Sequence, residues 1–270
     1  MGGKFTLQRE GRGGLQFLHM STQRTSTAAP SAAVEVKAPV TLAIDIGGTG
    51  LKAMLLDGEG KPVSERERVL TPTEASPEAV IAALDGLAHA LPGFDRVSVG
   101  FPGVVKRGIT YAAVNLHPLW AKGFPLEKTL EERWKVPVRV ANDADVAGYG
   151  AIAGEGVELV ITLGTGVGGA LFTKGHLCPG LEIGHHPWRK KGLTYEECLG
   201  KKGLELYGKK MWNELLLEAI VQLEFLFNWD HLYIGGGNTK KIVVELPENV
   251  SIVSNDQGLL GGVKLWKDLA

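Results

Sequence analysis

The chain has 270 residues, of which 44% are hydrophobic and 22% are charged, and its formal net charge is −1. These values are typical of a globular protein with one or two domains, and the small net charge gives no support for a nucleic acid or a membrane surface as a partner. The two cysteines are too few for a disulfide framework or a four-cysteine metal site, and no apolar segment has the length of a transmembrane helix, so we expect a cytoplasmic protein.

The first 38 residues show no apolar periodicity. Residues 21–39 are rich in Ser, Thr, Ala and Pro, and Leu18-His19-Met20 resembles a cloning junction. We interpret residues 1–38 as a disordered arm that includes expression-tag residues, with Met20 as the hypothetical natural start. The rest is expected to form an N-terminal lobe over residues 39–141, a C-terminal lobe over 142–255, and a segment over 256–270 that returns to the N-terminal lobe.

Strands and helices alternate in the first half of the structured chain. The predicted strands cover residues 41–46, 51–56, 62–70, 96–99 and 136–140, of which the first three form a meander joined by Gly-containing turns. A predicted helix begins at Ser76-Pro77, where a capping residue precedes a proline, and ends at about residue 91. Two more helices are predicted, over residues 126–134 and from Asn142 or Asp143 to about residue 151.

The second half repeats this alternation. Predicted strands cover residues 158–163, 168–173, 231–234 and 250–253, and a loop-rich stretch covers 175–202. A long helix is predicted over about 204–227, with Tyr207, Met211, Leu215 and Leu223 as an inward stripe. Its apolar content exceeds one narrow stripe, so we expect it to pack on more than one side. A closing helix is predicted over 259–266.

A short glycine turn, Asp45-Ile46-Gly47-Gly48-Thr49, joins the first two predicted strands. Two adjacent glycines let backbone N–H groups approach an anion closely, so the turn is suited to holding a phosphate. Asp45, at the end of a buried strand, is placed to hold a hydrated Mg²⁺ against that phosphate. An ordinary glycine hairpin with a turn-favouring Asp is the alternative interpretation.

Two further glycine-rich turns follow. One, Gly164-Thr165-Gly166-Val167-Gly168-Gly169, lies between two predicted strands, and the other, Gly235-Gly236-Gly237-Asn238, follows a strand. Strands mixed with helices indicate an α/β fold, and a phosphate-type hairpin in each half suggests two similar domains around one cleft for a nucleotide or phosphoryl donor. The spacing Gly-x-Gly-x-Gly-Gly and the strand-to-strand context both differ from the dinucleotide-binding fingerprint, which disfavours a dinucleotide-dependent oxidoreductase.

Five motifs occur in the order found in the repressor/open-reading-frame/kinase (ROK) sugar kinases: DIGGTGLK at 45–52, NDAD at 142–145, TLGTGVGG at 162–169, EIGH at 182–185 and GGG at 235–237. The chain resembles this family over residues 40–266. The resemblance implies a two-lobed actin/hexokinase-like (ribonuclease H-like) fold with the active site in the interdomain cleft. Within the family the chain is most similar to the polyphosphate-dependent glucokinases, through Thr194-Tyr195-Glu196 and Gly208-Lys209-Lys210-Met211-Trp212.

The resemblance implies a role for each matching residue. The donor-binding residues that it implies are Asp45, Gly47, Gly48, Thr49, Lys52, Thr165, Gly166, Gly235, Gly236 and Gly237, with Asp45 holding Mg²⁺ through water. Asp143 matches the catalytic base, which accepts the proton of a sugar hydroxyl as the oxygen attacks phosphorus. The sugar-binding residues that it implies are Asn142, Glu182, His185, Asn115 and Gly103. A helix N-cap for Asp143 and a solvated loop histidine for His185 are the alternative interpretations.

The zinc site of the family is incomplete in this sequence. Many members bind structural zinc through the His of the Glu-x-Gly-His motif and three closely spaced cysteines, whereas here only Cys198 accompanies His185. Four-coordinate zinc needs more ligands, so we expect no zinc site. The same region supplies a further sugar-binding Glu in the family, and Glu196, Glu197 and Glu205 are equal candidates for it.

Basic residues are concentrated between residues 189 and 210, where they outnumber acidic ones by seven to three. The basic residues are Arg189, Lys190, Lys191, Lys201, Lys202, Lys209 and Lys210. A basic strip beside the cleft would bind a long polyanion, and a solvated loop and helix face is the alternative interpretation.

The sequence therefore predicts a hexose kinase that uses polyphosphate, ATP or both, with Mg²⁺, to phosphorylate the 6-hydroxyl of glucose, and the resemblance implies a homodimer. A kinase of mannose, fructose or an N-acetylhexosamine stays open, because a pocket distinguishes these sugars by the geometry of their hydroxyls. A non-catalytic sugar-sensing member of the family is disfavoured, since the segment before residue 40 is too short and too poor in apolar periodicity for a helix-turn-helix domain.

Overall fold

The computed structural model describes residues 37–113, 116–189, 192–254 and 257–268. The strands are β1 (Thr41–Ile46), β2 (Leu51–Leu56), β3 (Glu67–Val69), β4 (Arg96–Phe101), β5 (Val105–Lys106), β6 (Ile109–Thr110), β7 (Val138–Asn142), β8 (Val157–Leu163), β9 (Val167–Thr173), β10 (His176–Cys178), β11 (His231–Gly235) and β12 (Val250–Ile252). The α-helices are α1 (Pro77–Ala90), α2 (Leu126–Trp134), α3 (Asp143–Ala151), α4 (Tyr195–Leu199), α5 (Lys201–Phe227), α6 (Gln257–Leu260) and α7 (Leu265–Asp268). Within these ranges no helix has both the length and the apolar character needed to cross a membrane.

Two five-stranded sheets share one topology. Their strand orders are β3-β2-β1-β4-β7 and β10-β9-β8-β11-β12. In each sheet an antiparallel hairpin, β1–β2 or β8–β9, continues into two parallel strands on the side of its first strand. The carboxyl ends of the parallel strands therefore lie at the same edge as the hairpin turn, which is where α/β sheets bind ligands. The predicted α/β fold class is confirmed.

The first sheet is covered on both faces. On one face Leu42 and Ile44 of β1 pack with Val80 and Leu84 of α1 and with Leu130 of α2. Helix α1 begins where the sequence predicts, because the Ser76 hydroxyl accepts a hydrogen bond from the Ala79 N–H at 3.3 Å. The other face is covered by the end of the chain, which begins with α6.

The second sheet is also covered on both faces. Leu159 and Ile161 of β8 pack against α5, where Trp212 and Ile220 are buried. On the opposite face Phe172 of β9 packs against α3. Since α3 directly follows β7 of the first sheet, this helix links the two sheets.

Some predicted elements differ from the structure. The third strand is confined to β3, because Pro62 has no N–H to donate and the Ser64 hydroxyl takes the Leu55 N–H at 2.9 Å. The closing helix is interrupted by a 3-10 turn, Gly261–Val263, and the Gly262 Cα packs closely against Ser98 and Ala43.

The long helix also departs from its prediction. It begins at Lys201, and Gly208 interrupts it with a left-handed φ of 71°. Met211 is 46% exposed, so its predicted inward position is wrong, whereas Leu215 and Leu223 are buried as predicted. Leu206 and Phe225 are 74% and 82% exposed, so packing on more than one side is wrong for the single chain.

Candidate active site

The first glycine hairpin joins β1 to β2 and leaves Gly48 and Thr49 exposed at its tip. The turn is closed by a hydrogen bond from the Gly47 N–H to the Gly50 carbonyl at 3.1 Å. Asp45 and Lys52 stand opposite each other in the register, and the Lys52 ammonium lies 2.6 Å from the Asp45 carboxylate. Thr71, which the sequence did not identify, donates to the Gly47 carbonyl at 2.5 Å and fixes the turn from outside. The hairpin therefore presents small, exposed backbone beside one paired carboxylate.

Asp143 is the first residue of α3 and follows β7 directly. The N-cap role belongs to Asn142, whose side-chain oxygen accepts the Ala144 N–H at 2.8 Å, although the same N–H also lies 2.8 Å from an Asp143 carboxylate oxygen. Gly100 of β4 makes room here, because a Cβ at this position would lie 3.4 Å from the Asp143 Cα. The carboxyl group of Asp143 thus stands at the edge where β1, β4 and β7 end.

The surroundings of Asp143 raise its pKa to about 7. Removal of the carboxyl from water is the largest cause, and the negative charges of Asp45 and Glu182 add to it, against hydrogen bonds from backbone N–H groups that lower the pKa. Burial and the charge of Asp143 likewise raise the pKa of Asp145 to about 7. Asp143 is therefore electrostatically coupled to both the first hairpin and the predicted sugar-binding residue Glu182.

Four of the five predicted sugar-binding residues take part in hydrogen bonds to backbone carbonyls. The Asn142 amide donates to the Gly103 carbonyl at 3.1 Å, so these two predicted residues are in contact. Glu182 precedes the 3-10 turn Ile183–His185, where the His185 N–H donates to the Glu182 carbonyl at 3.2 Å. Burial raises the pKa of Glu182, and the nearby exposed His185 opposes that effect. The remaining predicted residue, Asn115, lies outside the described residues.

The second glycine hairpin joins β8 to β9 and is hydrogen-bonded to the start of α5 and to the third glycine turn. Its turn is closed by the Gly164 N–H and the Gly166 carbonyl at 3.0 Å, with Thr165 exposed. The Lys201 N–H at the start of α5 donates to the Gly164 carbonyl at 3.0 Å, and the Asn238 amide donates to the same carbonyl at 2.8 Å. The structure therefore brings the second hairpin and the third glycine turn together.

The third glycine turn needs glycine at its centre. Gly236 has a φ of 92° and lies against the backbone of Leu163, where a Cβ would overlap. The position of Gly235, Gly236 and Gly237 beside the second hairpin thus depends on close backbone contact. Asn238, which holds the contact, was missed as a functional candidate although it directly follows the three glycines.

The three candidate glutamates occupy different environments. Glu196 accepts a hydrogen bond from the Val167 N–H of the second hairpin at 3.3 Å, and its charge raises the pKa of Glu182. Glu197 completes the capping box at the start of α4 and is exposed. Glu205 is exposed and lies 3.9 Å from Lys201. Of the three, Glu196 is the residue that contacts the candidate site.

The predicted basic strip is not continuous in the described residues. Arg189 pairs with Glu218 and lines a groove of about 890 Å³ with Trp188 and Tyr207. Lys209 and Lys210 line a different depression of about 430 Å³. Lys201 and Lys202 are exposed at the start of α5, and Lys190 and Lys191 lie outside the described residues.

The carboxylates at the site suit a Mg²⁺ ion that keeps most of its water ligands better than a metal ion held entirely by protein side chains. Asp45 and Asp143 are close enough for their charges to interact, and one Asp45 oxygen is taken by Lys52. Mg²⁺ usually keeps several waters and binds one or two carboxylates plus substrate phosphates. Within the described ranges no group of three or more His, Cys, Asp or Glu side chains is arranged to hold a metal. The absence of a zinc site stays a prediction.

Paired glycine hairpins on two sheets of one topology, with a carboxylate at a helix start between them, define a two-lobed sugar-kinase type of site. The chain belongs to the ROK family, whose sequence model matches residues 41–207. The family resemblance seen in the sequence and the actin/hexokinase-like fold are thereby confirmed.

Three relatives illustrate this membership. The inorganic polyphosphate/ATP-glucomannokinase of Arthrobacter sp. strain KM has a crystal structure that aligns with a TM-score of 0.76 and 32% identity, over 85% of this chain and 99% of that chain. The polyphosphate glucokinase of Mycobacterium leprae is 28% identical over 81% of this chain and 72% of its own length. The N-acetylmannosamine kinase of Escherichia coli strain SE11 is 40% identical over 54% of this chain and 52% of its own length.

Proposed function

We propose that this protein is a hexose kinase, and specifically a glucokinase that takes its phosphoryl group from inorganic polyphosphate, ATP or both. The observation that carries the proposal is the position of Asp143. Its pKa of about 7 depends in part on Asp45 of the first hairpin, and its neighbour Ala144 packs closely against Gly168, which follows the second hairpin. A carboxylate between two phosphate-type hairpins, with a pKa near neutrality, suits a general base in phosphoryl transfer.

In the proposed reaction Asp143 accepts the proton of the sugar hydroxyl as the hydroxyl oxygen forms a bond to the terminal phosphorus of the donor. The bond between that phosphorus and the bridging oxygen breaks, and the shortened donor leaves with the electron pair. Backbone N–H groups at the tips of the two hairpins are proposed to donate to the phosphate oxygens, because fixed donors stabilise the spreading negative charge.

Mg²⁺ bound with the donor would supply further charge neutralisation, and Asp45 is the residue proposed to hold it through water. The third glycine turn, residues 235–237, is proposed to contact the adenosine when ATP is the donor. Asn142, Glu182 and His185 are proposed to bind the sugar hydroxyls together with Asn115 and Gly103, since amide, carboxylate and imidazole groups supply both donors and acceptors.

A kinase of another hexose, such as mannose, fructose or an N-acetylhexosamine, is the second candidate. The 40% identity to an N-acetylmannosamine kinase over 153 residues favours it. The Arthrobacter relative is named a glucomannokinase, and this name refers to both glucose and mannose. A sugar-sensing protein without activity is the third candidate, and it would have no need of a base with a pKa near neutrality.

The deciding experiment is a coupled assay of sugar phosphate formation with Mg²⁺ and either long-chain polyphosphate or ATP. Glucose, mannose, fructose and N-acetylmannosamine are compared at equal concentration. Turnover of glucose with polyphosphate supports the full proposal, and turnover with ATP alone removes polyphosphate from it. Turnover only of another sugar supports the second candidate. Sugar binding by calorimetry without turnover of any sugar supports the sensor.

Asp143→Asn tests the assignment of the base. We expect kcat to fall by at least about a thousandfold while the Kd for the sugar changes by less than about threefold, because the amide keeps the shape but cannot accept the proton. Asp95→Asn, the same change at an exposed aspartate just before β4, at the opposite edge of the first sheet, is the control and should leave kcat near the wild type. A normal kcat in the Asp143 variant would contradict the assignment.

The oligomeric state and the location of the protein stay predictions. A homodimer is supported by the exposed apolar side chains of α5, including Leu206 and Phe225, which a second copy would remove from water. Light scattering after gel filtration measures the molecular mass in solution. A mass of one chain at micromolar concentration would contradict the homodimer.

A further inference from the structure

Arg68 lies against the first glycine hairpin, a contact that no motif of the sequence indicated. It is the central residue of the edge strand β3 and stands opposite Lys52 in the antiparallel register. Residues that face each other in this way project to the same side of the sheet. A Cβ at Gly50 would lie 2.9 Å from both Nε and Nη2 of Arg68, so the absence of a side chain at position 50 leaves room for this guanidinium.

Lys52 forms an ion pair, whereas Arg68 forms none with the described residues. The Lys52 ammonium is 2.6 Å from the Asp45 carboxylate. Across the described ranges no carboxylate lies within ion-pair distance of the Arg68 guanidinium, whose side chain is exposed. The hairpin thus has one cation already neutralised and one available to an anion.

We propose that Arg68 is a donor-binding residue, whose guanidinium binds non-bridging oxygens of the phosphoanhydride chain of the donor as it passes over the first hairpin. This inference rests on the proposed function, because it places a phosphoryl donor at that hairpin. The planar guanidinium offers paired N–H donors that match phosphate oxygens, and bonds between charged partners are the stronger kind.

The position of Arg68 also suggests a direction for a long donor. Because β3 is an edge strand, the space beyond Arg68 opens to solvent, where the rest of a polyphosphate chain is free to extend. The strip between residues 189 and 210 is a weaker candidate for this contact, since Arg189 is already paired with Glu218 and Lys209 and Lys210 line a depression that does not include the other described lysines. The shared ligand chemistry is the phosphoanhydride of ATP and of polyphosphate.

Kinetics of Arg68→Gln and Arg68→Lys test the proposal, with Lys128→Gln as the matched control. Lys128 is an exposed residue of α2 whose only ion pair in the described chain is with Glu132 at 3.7 Å. In the Gln variant we expect the KM of both ATP and polyphosphate to rise about ten- to a hundredfold, because a charged hydrogen bond is lost. The KM of the sugar should stay within twofold, the Lys variant should fall between, and the control should match the wild type.

Gly50→Ala provides an independent perturbation, because it displaces the guanidinium and keeps its charge. The backbone of Gly50 lies outside the left-handed region, so alanine is tolerated by the chain itself. We expect the donor KM to rise in the wild-type background and to change little further in the Arg68→Gln background. Equal effects of Gly50→Ala in both backgrounds would show that the hairpin, and not Arg68, was disturbed.

Calorimetry with inorganic tripolyphosphate and Mg²⁺, without sugar, separates this inference from the proposed function. Weaker binding to Arg68→Gln than to the wild type supports Arg68 even if no sugar is phosphorylated. Donor KM values and tripolyphosphate affinity that stay within twofold of the wild type overturn the inference, even if the protein is an active kinase. A sugar KM that rises as much as the donor KM also overturns it.

Discussion

The pKa of Asp143 predicts a pH dependence of the reaction that an ordinary aspartate would not produce. The base must be ionised to accept a proton, and its pKa of about 7 leaves it about one-tenth ionised at about pH 6 and about nine-tenths ionised at about pH 8. We therefore expect kcat/KM to rise about tenfold between these two pH values. An exposed aspartate, with a pKa of about 3.9, would give a flat profile over the same range.

The size of the effect follows from the surroundings of the carboxyl group. The shift from 3.8 to about 7 corresponds to about 4 kcal/mol of preference for the neutral form. Removal from water makes the largest contribution, and repulsion by Asp45 is the next largest. Replacing Asp45 by Asn removes that negative charge and leaves Lys52 without its partner, so both changes favour the ionised form of Asp143. The midpoint of the profile should move to lower pH in this variant.

The assay must distinguish Asp143 from the donor, because a terminal phosphate also titrates, at about pH 6. The ratio kcat/KM for the donor reports the pKa values of the free enzyme and the free donor. A midpoint due to the donor is therefore the same for the wild type and for Asp45→Asn, whereas a midpoint due to Asp143 shifts. The profile is measured from about pH 5 to 9 at constant ionic strength. Asp45→Asn is assayed at a higher enzyme concentration, so that the midpoint of its profile is determined as well as that of the wild type.

Two results would refute this reasoning. A flat wild-type profile between about pH 5.5 and 8 would mean that Asp143 keeps an ordinary pKa or is not the base. A midpoint near neutrality that stays in place in Asp45→Asn would assign the titration to the donor or to Asp145, whose pKa is also about 7, and the electrostatic coupling between the first hairpin and Asp143 would be wrong.

Two further predictions concern neighbouring carboxylates. Asp145→Asn should stabilise the protein by up to about 4 kcal/mol at about pH 8 and have little effect at about pH 4. The reason is that the folded-state pKa of this buried Asp is raised to about 7, so the stability of the protonated form is lost as the pH rises through that value. Thermal unfolding at both pH values measures the effect, and equal effects at the two would contradict the prediction. Glu196→Ala should raise the donor KM about five- to tenfold, because it leaves the Val167 N–H of the second hairpin without its acceptor. Glu196→Gln keeps an acceptor, so its donor KM should stay near that of the wild type. A larger change in the sugar KM than in the donor KM would instead favour a sugar-binding role for Glu196.

The sequence was sufficient where a feature depends on neighbours along the chain. Asp45 and Lys52 flank a turn of fixed length, so their opposition in the register follows from the hairpin itself. Helix α2 was predicted with its observed bounds, and the cap of α3 at Asn142 or Asp143 was predicted from residue type alone.

The error at Met211 has a local cause that a periodicity argument does not include. The predicted inward stripe assumed one continuous helix through Tyr207 and Met211. Gly208 leaves the helical region, with a φ of 71° and a ψ of 164°, so the residues before and after it do not share one helical phase. Leu215 and Leu223 both follow the interruption and keep a common phase, which is why their predicted burial is confirmed.

Contacts between distant segments were outside the reach of the sequence. Arg68 meets Gly50, Glu196 meets Val167, and Asn238 meets Gly164, and in each case the second member belongs to a glycine hairpin. Glycines of the two hairpins, Gly50 beside Arg68 and Gly166 beside Glu196, therefore also make room for the side chains that contact the hairpins. The same glycine pattern is consistent with phosphate binding and with close packing of a neighbouring side chain, and only the tertiary structure shows which glycines have such a neighbour.

The end of the chain shows how the position of Asp143 depends on both halves of the molecule. Gly262 accepts a hydrogen bond from the Ser98 hydroxyl at 2.6 Å, which ties residues 261–263 to β4 of the first sheet. Gly261 lies so close to the Val146 carbonyl of α3 that a Cβ would overlap with it, and Leu265 packs with Phe172 of the second sheet. Helix α3, which begins with Asp143, is therefore held between the two sheets by a segment from the end of the chain. A change in the relative position of the sheets would therefore have to move this segment, which contacts both of them and the helix that begins with the proposed base.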